Sequence, residues 1–283
     1  MAGDVQLENG AYGRRAVIRT SWTPGLSAQL KRQDVVELEL NQGRGWRGDD
    51  VAFLADLPEL KALDILDLTI KDIGPIHALP NLRHLGVTTY CLTEIRFSEF
   101  QHLEECALEW RPKAKSLFEC ISLKKLFVNR YAGQDAEPFA RLTRLESLSI
   151  LNSPLRTLEA LRALRNLRFL RLGGLRRLAS LAGVEDLVNL ETLQVHTCRA
   201  IRRVGELGHL SKLRELHLDN DGDISSLRPL DALDALESVS FYESTNIVDG
   251  DLSPLLRQKA LRRVSFKNRR HYSHRREDFG VAS

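Results

Sequence analysis

The chain has 283 residues, 43% apolar and 28% charged, with a formal net charge of +3. These values describe a folded chain and exclude extended disorder, collagen-like sequence and polyanion binding driven by net charge alone. No run of about 18 apolar residues is present to span a bilayer, and the opening Met1-Ala2-Gly3-Asp4-Val5-Gln6 lacks the basic and apolar regions of a secretory signal. Cys91, Cys106, Cys120 and Cys198 show no Cys-x-x-Cys spacing, so a reducing, cytoplasmic setting is expected.

Residues 1–33 carry no repeat. Ala16-Val17-Ile18 reads as a short strand, and Trp22-Thr23-Pro24-Gly25 as a turn leading to Leu26 and Leu30. A terminal repeat exposes an apolar end, so this segment is expected to act as an N-terminal cap.

From Val35 a two-part rhythm sets in. Apolar residues step by two in a strand-like pair, first Leu38/Leu40 and then Leu66/Leu68, Leu85/Val87, Cys106/Leu108, Leu126/Val128 and Leu148/Ile150. The pairs continue as Leu170/Leu172, Leu193/Val195, Leu216/Leu218, Val239/Phe241 and Val264/Phe266, which predicts eleven strands. Between pairs, leucines step by threes, as in Leu155, Leu158, Leu161, Leu164 and Leu167. A period of two buries one face of a strand. A strict period of three lines one edge of a 3₁₀-like segment, where residues i and i+3 eclipse. Each repeat is thus a strand followed by a thin return path, and residues 34–267 form one solenoid rather than a chain around a single core.

The recurring L-x-x-L-x-L resembles the leucine-rich repeat superfamily, in the short-repeat class found in phosphatase-regulatory subunits and bacterial internalins. The resemblance implies an α/β solenoid, with about eleven parallel strands on a concave face and 3₁₀ or short helical segments on the convex face. It implies little about partners. The residue that is usually Asn or Cys in the family is Ser153, Cys198, Asp221 and Ser244 in some repeats and Tyr90, Arg111, Tyr131 and Leu175 in others. After Phe266 the rhythm stops, and residues 268–283 read as a C-terminal cap or a basic tail.

Four motifs resemble sites of three kinds. Gly43-x-Gly45-x-x-Gly48 follows a strand as in dinucleotide-binding turns, but Asp49 and Asp50 would occupy the helix-start donors that a pyrophosphate needs. Asn220-Asp221-Gly222-Asp223 and Asp249-Gly250-Asp251 lack the length and closing Glu of a calcium loop. His271 and His274 have no partner at zinc-ligand spacing. No G-x-S-x-G or H-E-x-x-H occurs, so no catalytic residue, cofactor or metal is assigned and the chain is not expected to be an enzyme.

Ten arginines from Arg156 to Arg203 (Arg156, Arg162, Arg165, Arg168, Arg171, Arg176, Arg177, Arg199, Arg202 and Arg203) form a band that would suit nucleic acid or another anion. Few aromatics interleave with it, so this is the alternative reading.

The leading reading places the site on the concave face. Its central column runs Glu39, Asp67, Gly86, Ala107, Phe127, Ser149, Arg171, Gln194, His217, Ser240, Ser265, with Ile65, His84, Glu105, Lys125, Phe169 and Glu215 on one side. Glu109, Asn129, Leu151, His196, Asp219 and Tyr242 stand on the other side, with Trp110 and Tyr131 where the rhythm slackens. Phe127, Phe169 and Leu151 put apolar bulk where a partner would bury it, and Arg171 is a common interface anchor. The plain alternative is that these groups pack against one another across the sheet. Glu37, Glu39, Asp67, Glu105 and Glu109 make the N-terminal half of the face acidic, while Arg171, His196, His217, Arg263 and Lys267 make the other half basic. The expected function is non-catalytic binding of a protein partner by a monomer, with an inhibitor or immunity-type role within that reading. Nucleic acid and membrane partners are not expected.

Overall fold

Leu161, Leu164 and Leu167 each donate a backbone N–H to the carbonyl of the leucine three positions earlier, at 2.8, 2.8 and 2.9 Å. Val184, Leu187 and Leu190 donate likewise to Leu181, Val184 and Leu187 at 2.9, 3.0 and 2.9 Å. The three-residue spacing is therefore a chain of 3₁₀ turns. It places each leucine directly above the last, and all of them are buried. The computed structural model describes residues 4–280, so the first and last three residues of the predicted end segments lie outside it.

In chain order the elements are β1 (Val5–Asn9), β2 (Arg14–Ile18), α1 (Leu26–Arg32), β3 (Val35–Asn41), β4 (Ala62–Leu66), β5 (His84–Thr88) and β6 (Glu105–Glu109). There follow β7 (Lys125–Asn129), β8 (Ser147–Leu151), β9 (Phe169–Gly173), β10 (Thr192–His196), β11 (Glu215–Asp219) and β12 (Asp223–Ile224). The last are β13 (Ser238–Phe241), β14 (Asn246–Ile247), α2 (Ser253–Leu256) and β15 (Arg263–Phe266). The eleven array strands are β3 to β11, β13 and β15, with 3₁₀ segments of three to eight residues on most return paths.

The chain divides into two compact units, residues 1–127 and 128–283. In the first, β3 to β6 pair in parallel, β2 adds to β3 in parallel, and β1 closes back on β2 as an antiparallel hairpin. In the second, β8, β9, β10, β11, β13 and β15 pair in parallel and in register. Tyr272 sets its ring edge-on to Phe241 and Phe266, and Phe279 does so to Phe266, so residues past the last strand cover its end. Burying a leucine contributes about 1.5–3 kcal/mol, and here the gain is made repeat by repeat.

One strand differs from expectation. The inward pair of β4 is Leu63/Ile65, at 0% and 1% exposure, while Leu66 and Leu68 stand 44% and 41% exposed. Two L-x-L pairs overlap at this point. The pairing of Leu38 with Leu63 and of Leu63 with Leu85 selects the first, so the steps are 25 and 22 residues. The three-step through Leu54, Leu57 and Leu60 also runs directly into Leu63. Asp64 therefore takes the exposed central position in place of Asp67, and Ala62 the neighbouring one in place of Ile65. Asp67 is 1% exposed and turns inward, accepting from the Thr69 and Ile70 N–H groups at 2.8 and 3.2 Å.

Candidate functional site

On the exposed sheet face of the first unit, register aligns Glu39, Asp64, Gly86 and Ala107 in one column and Ala62, His84 and Glu105 in the next. The charges alternate and touch in sequence. Arg44 bridges Glu8 at 2.8 Å and Glu39 at 3.1 Å, and Arg15 bridges Glu39 at 2.6 Å and Asp64 at 3.2 Å. The Nε2 of His84 meets Asp64 at 2.9 Å, its Nδ1 meets Glu105 at 3.4 Å, and Lys125 closes on Glu105 at 2.7 Å. Burial of His84 works against its charged form, but the Asp64 and Glu105 carboxylates outweigh it and raise the pKa above the usual value. Gly86 leaves room for the crossing, since a Cβ there would sit 2.1 Å from Asp64 Oδ1.

This changes the expected acidic half. Glu37 and Glu39 are buried, because the β1–β2 hairpin folds onto them: Glu37 accepts the backbone N–H groups of Tyr12 and Gly13, and Glu39 is held by two arginines. Neither is a free anion for a partner. Arg15 and Arg44 were outside the predicted face: Arg15 comes from a non-repetitive hairpin that nothing in the repeat rhythm places against β3, and Arg44 from the turn that follows β3. The remaining predicted residues of this unit are placed as follows. Glu105 and Glu109 are half-buried on β6, Trp110 leans on Phe118 with ring centres 5.7 Å apart, and Phe127 is 36% exposed.

In the second unit the face is held by mostly neutral contacts. Arg171 Nε donates to His196 Nε2 at 3.0 Å, so that nitrogen carries no proton. Burial and then the neighbouring Arg171 push the His196 pKa down, against an opposing pull from Asp219. The His196 ring and Leu151 both lie over Gly173, where a Cβ would be 2.1 Å from His196 Cε1 and 2.7 Å from Leu151 Cδ2. Leu151 and His196 thus partly pack on the sheet itself, the plain alternative noted for the apolar groups. Phe169 is half-buried at the other end of β9, in register with Ser147 and Thr192, Asn129 accepts from the Asn152 amide at 2.8 Å, and Tyr242 is 43% exposed. Tyr131 corrects an expectation. It is 5% exposed, with its ring edge-on to Phe139 at 5.0 Å, because it fills the inward position after the strand that Ser153 fills one repeat later.

His217, Ser240 and Asp219 bring together the three residue types of a hydrolase. Ser240 lies 2.9 Å from His217 Nδ1 and 3.1 Å from Asp219, and Glu215 lies 4.0 Å from His217 Nε2. In a nucleophilic relay histidine stands between serine and the acid. Here serine is in the middle: its hydroxyl donates a hydrogen bond to the Asp219 carboxylate, which leaves its oxygen to accept from His217 Nδ1, so the imidazole does not draw on the hydroxyl. The trio fixes His217 rather than activating Ser240.

The sequence motifs resolve into turns. Gly45 has φ +111°, Trp46 is fully buried beneath the loop, and the five-residue 3₁₀ segment Ala52–Asp56 stands where a nucleotide site would need a long helix. Asp221 accepts the Cys198 N–H at 2.7 Å and Asp223 pairs with Arg202 at 3.0 Å. Asp249 and Asp251 cap successive turns through the N–H groups of Asp251 and Ser253. Among the described residues no group of three or more His, Cys, Asp or Glu is placed to hold a metal. No helix among them is long and apolar enough to cross a membrane. The arginine band separates into parts: Arg162, Arg165 and Arg168 lie on the return path, Arg171 on the sheet face, and the other six in the loops that follow the strands.

No family model matches the chain, and no curated protein matches it. Solved structures do. An internalin (inlF) from Listeria monocytogenes superposes with a TM-score of 0.61 at 19% identity, over 90% of this chain and 87% of that one. The plant peptide hormone receptor RGFR1, in complex with RGF2, gives a TM-score of 0.53 at 15% identity over 93% of this chain, which spans about half (52%) of the receptor chain. The fold is that of the leucine-rich repeat proteins.

Proposed function

We propose that this leucine-rich repeat chain is a non-catalytic module that binds a protein partner on its exposed sheet face. The observation that carries the reading is the character of that face in the second unit. Leu151, Phe169, Arg171 and His196 stand on three adjacent strands in register, with Tyr242 exposed at the end of a further one. Half-buried apolar groups beside a pinned guanidinium are what interface cores are made of. They cost little entropy to bury because their neighbours already hold them. The hydrogen-bonded His217, Ser240 and Asp219 add a preset polar rim.

Glu105, Glu109, Trp110 and Phe127 supply the corresponding contacts of the first unit. The matched plant receptor is a peptide hormone receptor in complex with RGF2, which supports a polypeptide as the kind of ligand this fold receives. A stoichiometric inhibitor or immunity-type role in the cytoplasm, acting as a monomer, fits a chain whose exposed groups are organised for contact rather than for chemistry.

Affinity capture with the wild-type chain and with a Phe127→Ala, Phe169→Asp variant tests the reading, with identification of retained proteins by mass spectrometry. A partner retained by the wild type and lost by a variant with unchanged melting temperature is the expected result. A partner retained equally by both would place the interface elsewhere.

A further inference from the structure

The loops leaving β8, β9 and β10, residues 152–158, 174–181 and 197–204, carry Arg156, Arg176, Arg177, Arg199, Arg202 and Arg203 and not one Asp or Glu. All six arginines are exposed. Arg202 pairs with Asp223 at 3.0 Å and Arg199 reaches only the neutral Asn220 side chain, also at 3.0 Å. The other four have no carboxylate within 4.0 Å among the described residues. On the return path the balance is different, since Arg162 faces Asp186 at 4.0 Å and Arg168 faces Glu191 at 3.6 Å. An arginine used only to cover leucines needs no such segregation.

Between two of these loops lies a hollow of about 390 Å³ lined by Asn152, Ser153, Pro154, Gly174, Arg176 and Arg177. Its floor is fixed. The Ser153 hydroxyl donates to the Tyr131 carbonyl at 2.8 Å and the Asn152 amide to Asn129 at 2.8 Å. Gly174 has φ +66°, and a Cβ there would meet Asn152 Oδ1 at 2.6 Å, so the floor is bare backbone at that point. What lines the hollow with unspent donors is a pair of adjacent guanidinium groups, each with five N–H groups in a rigid fork and no acceptor. A ligand that answers both forks must be compact, doubly charged and rich in acceptor oxygens.

We propose that this hollow is an anion site for a phosphomonoester, clamped by Arg176 and Arg177 and drawn in by the field of Arg156, Arg199 and Arg203. The source that fits is a phosphorylated side chain on a protein segment. The three loops hold no Phe, Tyr or Trp on which a nucleobase could stack, and the hollow, at about 390 Å³, is a local pocket with room for a phosphorylated side chain rather than a strand-long groove. None of these residues belongs to the sheet-face columns, so either site can exist without the other.

Calorimetric titration of the full chain at low salt with inorganic phosphate, phenyl phosphate, a phosphoserine peptide, its unphosphorylated form and a single-stranded oligonucleotide tests the site. The phosphopeptide and phenyl phosphate are expected to bind, and the unphosphorylated peptide is not. Binding should weaken at least tenfold in Arg176→Gln, Arg177→Gln and stay within twofold in the return-path control Arg162→Gln, Arg165→Gln, both checked for wild-type melting. Lysine at 176 and 177, which keeps charge but not the fork, should give an intermediate loss and serves if the glutamine pair folds poorly. Absence of phosphate binding, equal loss in the control, or tighter binding of the oligonucleotide through the same two arginines would each overturn the proposal.

Discussion

The two units hold the same kind of sheet face in opposite ways. In the first, the groups are charged and alternate in sign from Glu8 through Arg44, Glu39, Arg15, Asp64, His84 and Glu105 to Lys125. In the second, one ion pair, Arg263 with Glu215 at 3.4 Å, stands beside neutral donors and acceptors, with His196 accepting from Arg171 and Ser240 standing between His217 and Asp219. Behind the strands both units bury ionisable groups: the first turns Asp67 inward at 1% exposure, satisfied by the Thr69 and Ile70 N–H groups. It also buries a cation, Arg111, 3% exposed and bonded to the Cys91 carbonyl at 3.0 Å and the Thr89 hydroxyl at 3.1 Å. The second buries an acid, Asp221, at 0% exposure. The repeat dictates only that one side of each strand be apolar. How the other side is satisfied is decided locally, and the two solutions differ in their response to pH and salt.

The largest expected effect concerns Asp221. Burial, reinforced by Asp219 and opposed by the Cys198 N–H, pushes its pKa up to about 7, and its second oxygen has no partner. An acid whose folded pKa exceeds its unfolded value stabilises the fold fully below the unfolded pKa, near 3.8, and loses that contribution as pH rises through about 7. Between pH 5 and pH 8 the loss is about 2–3 kcal/mol. Asp221→Asn keeps the acceptor for Cys198 and mimics the neutral acid. It should therefore leave stability at pH 5 unchanged and raise the melting temperature at pH 8 by several degrees, as read by thermal melts at the two values. Equal melting of variant and wild type at pH 8 would show that Asp221 is not held neutral.

A smaller effect separates the two glycine crossings. In Gly173→Ala the new methyl meets the His196 ring, which Arg171 fixes, and Leu151 as well. In Gly86→Ala it meets Asp64 Oδ1, the end of a flexible carboxylate that yields by giving up its 2.9 Å contact with His84, a half-exposed pair of small worth. Overpacking against groups that cannot yield costs about 1–3 kcal/mol. Denaturant melts should show about 2 kcal/mol lost for Gly173→Ala and under about 1 kcal/mol for Gly86→Ala. Equal losses would mean that the two faces are equally rigid.

Why the sequence reveals the fold so fully and the face so partially follows from the same physics. A leucine at every third position has one use, and the 3₁₀ hydrogen bonds at Leu161, Leu164 and Leu167 show it. Where two L-x-L pairs overlap, at Leu63/Ile65 and Leu66/Leu68, periodicity alone is ambiguous. The leucine ladder that runs into Leu63 was the available signal. The burial of Tyr131 could be read from the position it shares with Ser153. That Glu37 and Glu39 would be covered could not, because the hairpin that covers them lies outside the repeat and meets them only in space. Exposed columns follow from register, but whether a column is spent internally depends on partners tens of residues away, as with Arg15 and Asp64.

The smallest expected effect tests the charged relay itself. His84 is raised, so its contribution is present in full below its unfolded pKa, near 6.5, and fades as pH rises through the higher folded value. Its side chain is 22% exposed and that of Asp64 35%, so solvent screening discounts the pair to about 1 kcal/mol or less. His84→Gln, which can still hydrogen-bond Asp64 but cannot carry charge, should cost about that much at pH 6 and almost nothing at pH 9. The pH 6 loss should shrink as sodium chloride rises from 0.05 to 1 M, where the screening length falls to about 3 Å. The mirror substitution His196→Gln, in a face that works with a neutral ring, should show neither the pH trend nor the salt trend. If both variants respond alike to salt, the contrast between a charged face and a neutral one is not a property of the two units.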